Sequence, residues 1–209
     1  MSRILITSGP TRQHLDPVRY LTNGSSGRMG AALASAVLEA GHQVVIVSGP
    51  VEVAYPAGAE VVPVVSTEDM LAACLKVFPN CDGLIAAAAP CDYRPIAAAG
   101  RKIRKTGDGL RLELVETPDV VAALAAEKTS QWIVAFALET EDQHLRAMQK
   151  LERKNCDLIV INGPAAIDAA DTHVEILGKD GQVADSFSGS KSDVAKDLFE
   201  LIQRRLMAR

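Results

Sequence analysis

The chain has 209 residues, of which 48% are hydrophobic, 23% charged and only 4% aromatic. A chain of this length buries about 70% of its unfolded surface, so we expect one domain spanning residues 1–209. Asp and Glu outnumber Lys and Arg by 26 to 22, which disfavours nucleic acid and anionic membranes as partners because an acidic protein gains nothing from counterion release. No apolar run approaches the roughly 18 residues of a membrane helix, and the first ten residues, MSRILITSGP, lack the features of a signal peptide. We therefore expect a cytoplasmic protein.

The residues that most often bind metal are scattered rather than clustered. The four cysteines and four histidines are Cys74, Cys81, Cys91, Cys156, His14, His42, His144 and His173. No C-x-x-C pair or zinc spacing occurs among them, so we expect reduced thiols and no metal site built from protein ligands alone.

Short β-branched segments alternate with amphipathic helical patterns along the chain. Strands are predicted at residues 4–7, 43–48, 60–65, 83–88, 110–114, 132–138 and 157–161. Helices are predicted at residues 27–40, 67–78, 139–153 and from Thr117 and Ser190 onward, with Thr67, Thr117 and Ser190 as capping hydroxyls. A hairpin is predicted at 174–177 and 183–187. This order predicts a Rossmann-like α/β fold with a mostly parallel sheet, helices on both faces and a C-terminal antiparallel hairpin extension at about 172–188.

Two long segments, residues 8–26 and 89–109, each follow the carboxyl end of a predicted strand. Open α/β sheets bind ligands at that edge, and loops of this length are usually functional. In the first segment Ser25, Ser26 and Gly27 precede a helix, so their backbone N–H groups can bind a phosphate or carboxylate. Arg28 adds a fixed cation beside them, and the same region also carries Arg12 and Arg19.

The signatures of the commonest nucleotide-binding motifs are absent. No G-x-G-x-x-G follows the first strand, and the strand at 43–48 is followed by Gly49 instead of an acidic residue that would bind a ribose. A P-loop is also missing. A nicotinamide-dependent reductase therefore remains the weaker alternative, together with a non-catalytic nucleotide-binding module.

A second group of cations follows the strand at 83–88. Residues 101–105 read RKIRK between Gly100 and Thr106-Gly107, which predicts a mobile basic flap suited to a triphosphate and a departing pyrophosphate. Lys150 and Lys154 are spaced i,i+4 at the end of a predicted helix and would present two more cations on one face.

The motif ITSGPTR…LDPVRYLTNGSSGRMG, followed by AAAAPCDYRP, KIRK, TPDVVAAL, VAFALET and KLERKNCDLIVIN, resembles phosphopantothenate–cysteine ligases of coenzyme A biosynthesis. The resemblance covers nearly the whole chain and implies a free-standing ligase or an isolated ligase domain. It implies that the carboxylate of 4′-phosphopantothenate is activated by CTP with Mg²⁺ and then joined to the amine of cysteine, without flavin or NAD. It further implies a homodimer, in which we expect the hairpin at 172–188 to take part, and a separate decarboxylase acting next.

The resemblance also implies roles for individual residues. Those implied in the reaction are Asn23, Arg19, Ala88 and Lys102. Those implied in nucleotide binding are Ala86, Ala87, Ala88, Asp92, Lys102, Pro118, Asp119, Val120, Val121, Phe136, Lys150 and Lys154. Asp92 is also a candidate Mg²⁺ ligand.

The chain departs from the family pattern at a few positions in these motifs. Pro90-Cys91 stand where Val-Ala is common, Arg28 where lysine is commoner, and Thr117 where asparagine is commoner. Proline removes a backbone N–H at its position. For Cys91, a space-filling role is favoured over a nucleophilic one.

Overall fold

The computed structural model describes residues 1–138, 142–163 and 171–208. The strands are β1 (Arg3–Ser8), β2 (Arg12–His14), β3 (Tyr20–Thr22), β4 (Gln43–Ser48), β5 (Glu60–Pro63), β6 (Gly83–Ala86), β7 (Tyr93–Pro95), β8 (Leu114–Glu116), β9 (Trp132–Leu138), β10 (Leu158–Asn162), β11 (Asp171–Gly178) and β12 (Val183–Ser190). The helices are α1 (Arg28–Glu39), α2 (Thr67–Val77), α3 (Val120–Ala126), α4 (Gln143–Arg153) and α5 (Lys191–Ile202). A 3₁₀ turn at Phe78–Asn80 follows α2, and a π-helical turn at Gln203–Met207 follows α5.

One eight-stranded sheet has the order β12-β11-β10-β9-β6-β1-β4-β5. The pairs from β5 to β10 are parallel, whereas β10–β11 and β11–β12 are antiparallel. This topology confirms the predicted Rossmann-like class and its antiparallel C-terminal hairpin. The hairpin continues the main sheet beside β10, so it is not an isolated two-stranded unit.

Helices cover both faces of the sheet, as predicted. Alternate residues of a strand point to opposite faces, and Ile4 and Ile6 accordingly pack in the core under α1 and α5, while Leu5 packs in the core under α2, α3 and α4. Burial of these large aliphatic side chains stabilises the fold by about 1.5–3 kcal/mol each.

Two helix starts differ from the prediction. The N-cap of α2 is Ser66, whose hydroxyl accepts from Asp69 in a capping box, so Thr67 is already the first helical residue. The N-cap of α3 is Asp119, which accepts from the amide of Ala122. Thr117 lies two residues before this N-cap, and its hydroxyl donates instead to the carbonyl of Cys91 at 2.6 Å. The predicted start of the fourth helix, residues 139–141, lies outside the described residues.

Two antiparallel ribbons, β2–β3 and β7–β8, interrupt the segments that the sequence analysis left largely without structure. The strand predicted at 110–114 lies at β8 instead, and it pairs with β7 inside the predicted loop 89–109. The amide of Arg12 donates to Val65 at 2.8 Å, and the amide of Ala99 donates to Leu15 at 2.8 Å. These bonds attach the ribbons to the body of the protein and to each other. Within the described part of the chain, no helix is long and apolar enough to cross a bilayer.

Candidate active site at the carboxyl edge of the sheet

A cavity of about 480 Å³ opens between the start of α1 and the ends of β6, β9 and β10. This is within the usual range of roughly 300–1,000 Å³ for small-ligand pockets. Its walls include predicted site residues from four distant parts of the chain: Asn23, Ser25, Ser26, Gly27, Arg28, Ala87, Ala88, Asp92, Phe136 and Lys150. The parallel sheet brings them together because parallel strands end at one edge.

The start of α1 is packed directly against the end of β1. Gly27, at φ +74°, is the N-cap residue, and no side chain caps the helix. A Cβ on Gly30 would lie 2.1 Å from the Ser8 hydroxyl oxygen, so only glycine fits that contact. Helix N-termini favour anions through their first N–H groups and the helix dipole. This wall of the cavity therefore suits a phosphate or carboxylate, as the sequence predicted for residues 25–28.

Asn23 joins the two long segments that follow β1 and β6. Its side-chain amide donates to the carbonyl of Pro90 at 2.9 Å and to that of Ala89 at 3.4 Å. The backbone amide of Ala88, the residue before Ala89, donates to the Thr7 hydroxyl at 3.3 Å. Pro90 has no backbone N–H to donate, but its carbonyl accepts one of the two hydrogen bonds from the Asn23 side chain.

A ring of hydroxyl groups holds the backbone of Cys91, next to the cavity residue Asp92. The Cys91 amide donates to the Thr11 hydroxyl at 2.7 Å, the Thr11 and Thr67 hydroxyls are 2.8 Å apart, and Thr67 donates to the Cys91 carbonyl at 3.1 Å. An amide can only donate and a carbonyl can only accept. The proton order is therefore fixed as Cys91 N–H to Thr11 to Thr67 to Cys91 C=O.

The thiol of Cys91 is buried and lacks the features of a nucleophile. Burial raises its pKa, and the negative charge of Asp92 raises the pKa further. The reactive form of cysteine is the thiolate, so a protonated thiol in this position agrees with the space-filling role.

The two lysines predicted as a pair lie in different environments. Lys150 lines the cavity. Lys154 is the C-cap of α4, and its ammonium lies 3.1 Å from the carboxylate of Asp119. Two predicted nucleotide ligands, Asp119 and Lys154, are thus paired with each other in this structure.

Other predicted nucleotide residues are not among the described lining residues of the cavity. Ala86 and Val120 are buried in the core under α2, α3 and α4, and Val121 packs against that core. Pro118 is exposed just before α3. Packing accounts for the three apolar residues without a ligand, so their nucleotide roles stay predictions.

Arg19 and the basic segment 101–105 are also not among the described lining residues of the cavity. The Arg19 guanidinium donates to the carbonyl of Ile103 through both terminal nitrogens, each at 3.1 Å, and to the Asp16 carboxylate at 3.1 Å. The middle of the predicted flap is therefore attached to the β2–β3 ribbon. Lys102 stands next to this attachment and is exposed.

The sequence analysis gave no role to three polar residues that line the cavity on the side of β10, β11 and α5: Asn162, which matches the ligase family pattern, Thr172 and Lys191. The side-chain oxygens Asn162 Oδ1 and Thr172 Oγ1 are buried without a hydrogen-bond partner among the described residues. Lys191 could have been selected from the sequence, because it is a cation directly after Ser190, the residue predicted to cap the last helix. Thr172 could not have been selected, because its position depends on how β11 pairs with β10.

The fold and this cavity define a Rossmann-like α/β protein with a cleft at the carboxyl edge of its sheet, whose wall includes the N-terminus of α1. Residues 1–206 match the family described as the DNA/pantothenate metabolism flavoprotein C-terminal domain, and the chain belongs to that family.

Relatives in sequence and structure agree with this assignment. The chain is 43% identical over 205 residues to the coenzyme A biosynthesis bifunctional protein CoaBC of Bacillus subtilis, covering 96% of this chain and 50% of that protein. A crystal structure of the C-terminal domain of a CoaBC protein superposes with a TM-score of 0.84 at 35% identity, covering 99% of this chain and 96% of that one. A mutant of Cab2 in complex with phosphopantothenate-cysteine has the same fold, with a TM-score of 0.79 at 18% identity, covering 98% of this chain and 86% of that one. The chain thus spans about half the length of the curated relative.

Proposed function

We propose that this chain is a phosphopantothenate–cysteine ligase that uses CTP. The observation that carries the proposal is the cavity itself, which gathers Asn23, Arg28, Asp92 and Lys150 from separate motifs at one sheet edge. The family assignment supports it, as does the relationship to CoaBC, whose name states a role in coenzyme A biosynthesis.

In the proposed first step, a carboxylate oxygen of 4′-phosphopantothenate bonds to the α-phosphorus of CTP while the bond to pyrophosphate breaks. Negative charge shifts toward the leaving pyrophosphate, so cations and N–H groups at that position lower the barrier. Arg28, Lys150 and the first turn of α1 supply them at the cavity wall. Lys102, in the basic segment, would supply a further cation to the pyrophosphate.

In the proposed second step, the amine of cysteine attacks the acyl carbon, CMP departs and the amine loses a proton. The protein needs no nucleophile of its own for this, because nucleotidyl activation has already provided the leaving group. Asn23 would hold the acyl-cytidylate in place, and Arg19 and Ala88 would assist the second step. Positioning and exclusion of water are then the main contributions of the protein. The product keeps the carboxylate of cysteine, which suits a separate decarboxylase as the next enzyme.

The cavity fits Mg²⁺ delivered with the nucleotide. Among its described lining residues, Asp92 is the one carboxylate, and no group of three His, Cys, Asp or Glu side chains forms a metal site in the described part of the chain. Mg²⁺ commonly binds through one or two carboxylates plus substrate phosphates. The ion would neutralise phosphate charge there, with Asp92 as its protein ligand.

A homodimer is also part of the proposal, and the exposed apolar residues favour a surface other than the predicted hairpin. They concentrate around β7–β8, at Tyr93, Ile96, Leu110, Leu112 and Leu114, whereas in the described parts of β11 and β12 only Val183 is a large exposed apolar residue. Within the chain the hairpin is already stabilised, because β11 pairs with β10, and β12 lies at the edge of the sheet. We therefore propose the β7–β8 ribbon and its connection as the dimer contact, with the hairpin at 172–188 as the alternative.

The test is pyrophosphate release by purified protein given Mg²⁺ and 4′-phosphopantothenate, with CTP or ATP, and with or without cysteine. We expect release that requires 4′-phosphopantothenate, and amide product only after cysteine is added. Faster turnover with CTP than with ATP would support the nucleotide assignment, and the reverse would overturn it.

Nucleotide binding without pyrophosphate release would contradict the ligase and favour the non-catalytic module. Hydride transfer to or from a nicotinamide cofactor, in the absence of pyrophosphate release, would favour the reductase instead.

A further inference from the structure

The carboxylate of Asp16 lies at the junction between the β2–β3 ribbon and the basic segment 101–105. Its side chain has no exposed surface. One oxygen accepts from the amides of Val18 and Arg19, both at 2.8 Å. The other accepts from the amide of Ile103 and from the Arg19 guanidinium, both at 3.1 Å. All four donors converge on one side chain that is not among the described lining residues of the 480 Å³ cavity.

The same contacts hold two cationic elements that are about 80 residues apart in the chain. Ile103 is fixed through both of its backbone polar groups, since its amide donates to Asp16 and its carbonyl accepts from Arg19. Arg19 is fixed in turn by its bonds to Asp16 and Ile103. The neighbours of Ile103 in the segment are Lys102 and Arg104, so this attachment sets where their side chains begin.

We propose that Asp16 is a positioning residue, which fixes the basic segment 101–105 and the Arg19 guanidinium in one arrangement without touching a substrate. The inference deepens the proposed ligase function and depends on it for its catalytic consequence. Burial raises the pKa of Asp16, but the bonds from Val18, Ile103 and Arg19 outweigh that effect and leave the pKa below its usual value. The carboxylate thus stays ionised and keeps accepting all four bonds.

Two substitutions break the attachment from opposite sides. In Asp16→Asn, the amide oxygen can keep the bonds from Val18 and Arg19, but its NH₂ group then faces the Ile103 amide and the guanidinium, and donors cannot bond to donors. Ile103→Pro removes the amide proton from the segment and leaves Asp16 in place. Ile103→Ala, which keeps the amide, and Asp108→Asn, which changes an exposed carboxylate farther along the same loop, are the matched controls.

The first measurement is trypsin cleavage after Arg104 in the native protein without ligands, since every variant retains that site. Loss of a charge-assisted hydrogen bond should speed cleavage by about 10- to 100-fold in Asp16→Asn and Ile103→Pro, because proteolysis follows local opening. The two controls should be cleaved at the wild-type rate. Unchanged cleavage in both test variants would overturn the attachment, whether or not the protein is a ligase.

The second measurement is the KM for the nucleotide and the kcat for pyrophosphate release, alongside thermal unfolding. We expect the two test variants to raise the nucleotide KM about tenfold, as loss of one such bond predicts, and the thermal unfolding transition shows that each variant is folded. Faster cleavage with unchanged KM and kcat would overturn the positioning role. A wild-type protein without ligase activity would defeat the proposed function, while the cleavage result would still decide whether Asp16 holds the segment.

Discussion

The cavity wall and the two ribbons carry the proposed reaction residues on very different supports. In the wall, residues 87–89 continue from β6, and Gly27 and Gly30 begin α1, so their backbones are fixed by the sheet and its core. The ribbons have strands of only three residues, and the polar contacts of Asp16 connect the basic segment to them. The binding groups proposed for the wall thus lie on rigid elements, whereas Arg19 and Lys102 lie on segments that a few hydrogen bonds hold in place.

The largest expected effect comes from Asn23, which connects the wall to the segment after β6. In Asn23→Asp the side chain keeps its size but loses its donor, and a carboxylate would face the carbonyls of Pro90 and Ala89 and an anionic substrate. We expect the rate of amide formation to fall about 100-fold or more, as when one donor to a developing charge is removed.

The measurement is product formation at saturating substrates, with thermal unfolding to show that the variant is folded. Asn80→Asp, an exposed asparagine in the 3₁₀ turn after α2, is the matched control and should be fully active. An active Asn23→Asp enzyme would mean that the wall does not depend on this amide.

The next prediction concerns the ribbons as a dimer contact. Ile96→Glu and Leu112→Glu place a charge on the apolar surface around β7–β8, where Ile96 is 61% exposed in the single chain. Burying an unpaired charge is costly, so we expect the dissociation constant of the dimer to rise about 100-fold.

Sedimentation velocity over a range of concentrations measures this change, and Val183→Glu on β12 is the control. Dissociation caused by Val183→Glu alone would return the contact to the hairpin at 172–188. A wild-type protein that is monomeric at every concentration would reject the dimer.

The same division separates what the sequence could and could not predict. Arg28 was found because a helix pattern begins directly after Ser25, Ser26 and Gly27 at the expected ligand edge, whereas Ala88 was found only through the resemblance to the ligase family. The ribbons were missed because three residues are too few for an alternating pattern, and their pairing depends on contacts between distant segments. The attachment of Ile103 to Asp16 has no sequence signal, since it uses the backbone of Ile103 rather than its side chain.

The close approach of α1 to β1 predicts a smaller effect on stability. In Gly30→Ala the new methyl group would meet the hydroxyl of Ser8, which is fully buried. Overpacking of this kind costs about 1–3 kcal/mol, so we expect a lower free energy of unfolding in denaturant and weaker nucleotide binding. Gly109→Ala has nothing within 4 Å of its new Cβ and is the control. Adding Ser8→Gly to Gly30→Ala should recover part of the loss, and failure to recover any would mean that another contact excludes alanine.

The smallest effect should come from the hydroxyl ring, which supports the wall from the side of α2. Thr67→Val keeps the shape of the side chain but leaves the Thr11 hydroxyl without an acceptor and removes one of two donors to the Cys91 carbonyl. The Thr117 hydroxyl still donates to that carbonyl, so we expect a loss of only about 1 kcal/mol in the free energy of unfolding. Because Asp92 follows Cys91 directly, the KM for the nucleotide should also rise, whereas Thr67→Ser, which keeps the hydroxyl, should restore it. An equal rise of the KM in Thr67→Ser and Thr67→Val would mean that the methyl group of Thr67 positions Asp92. The hydroxyl ring would then have no part in it, and this side of the wall would depend on packing alone.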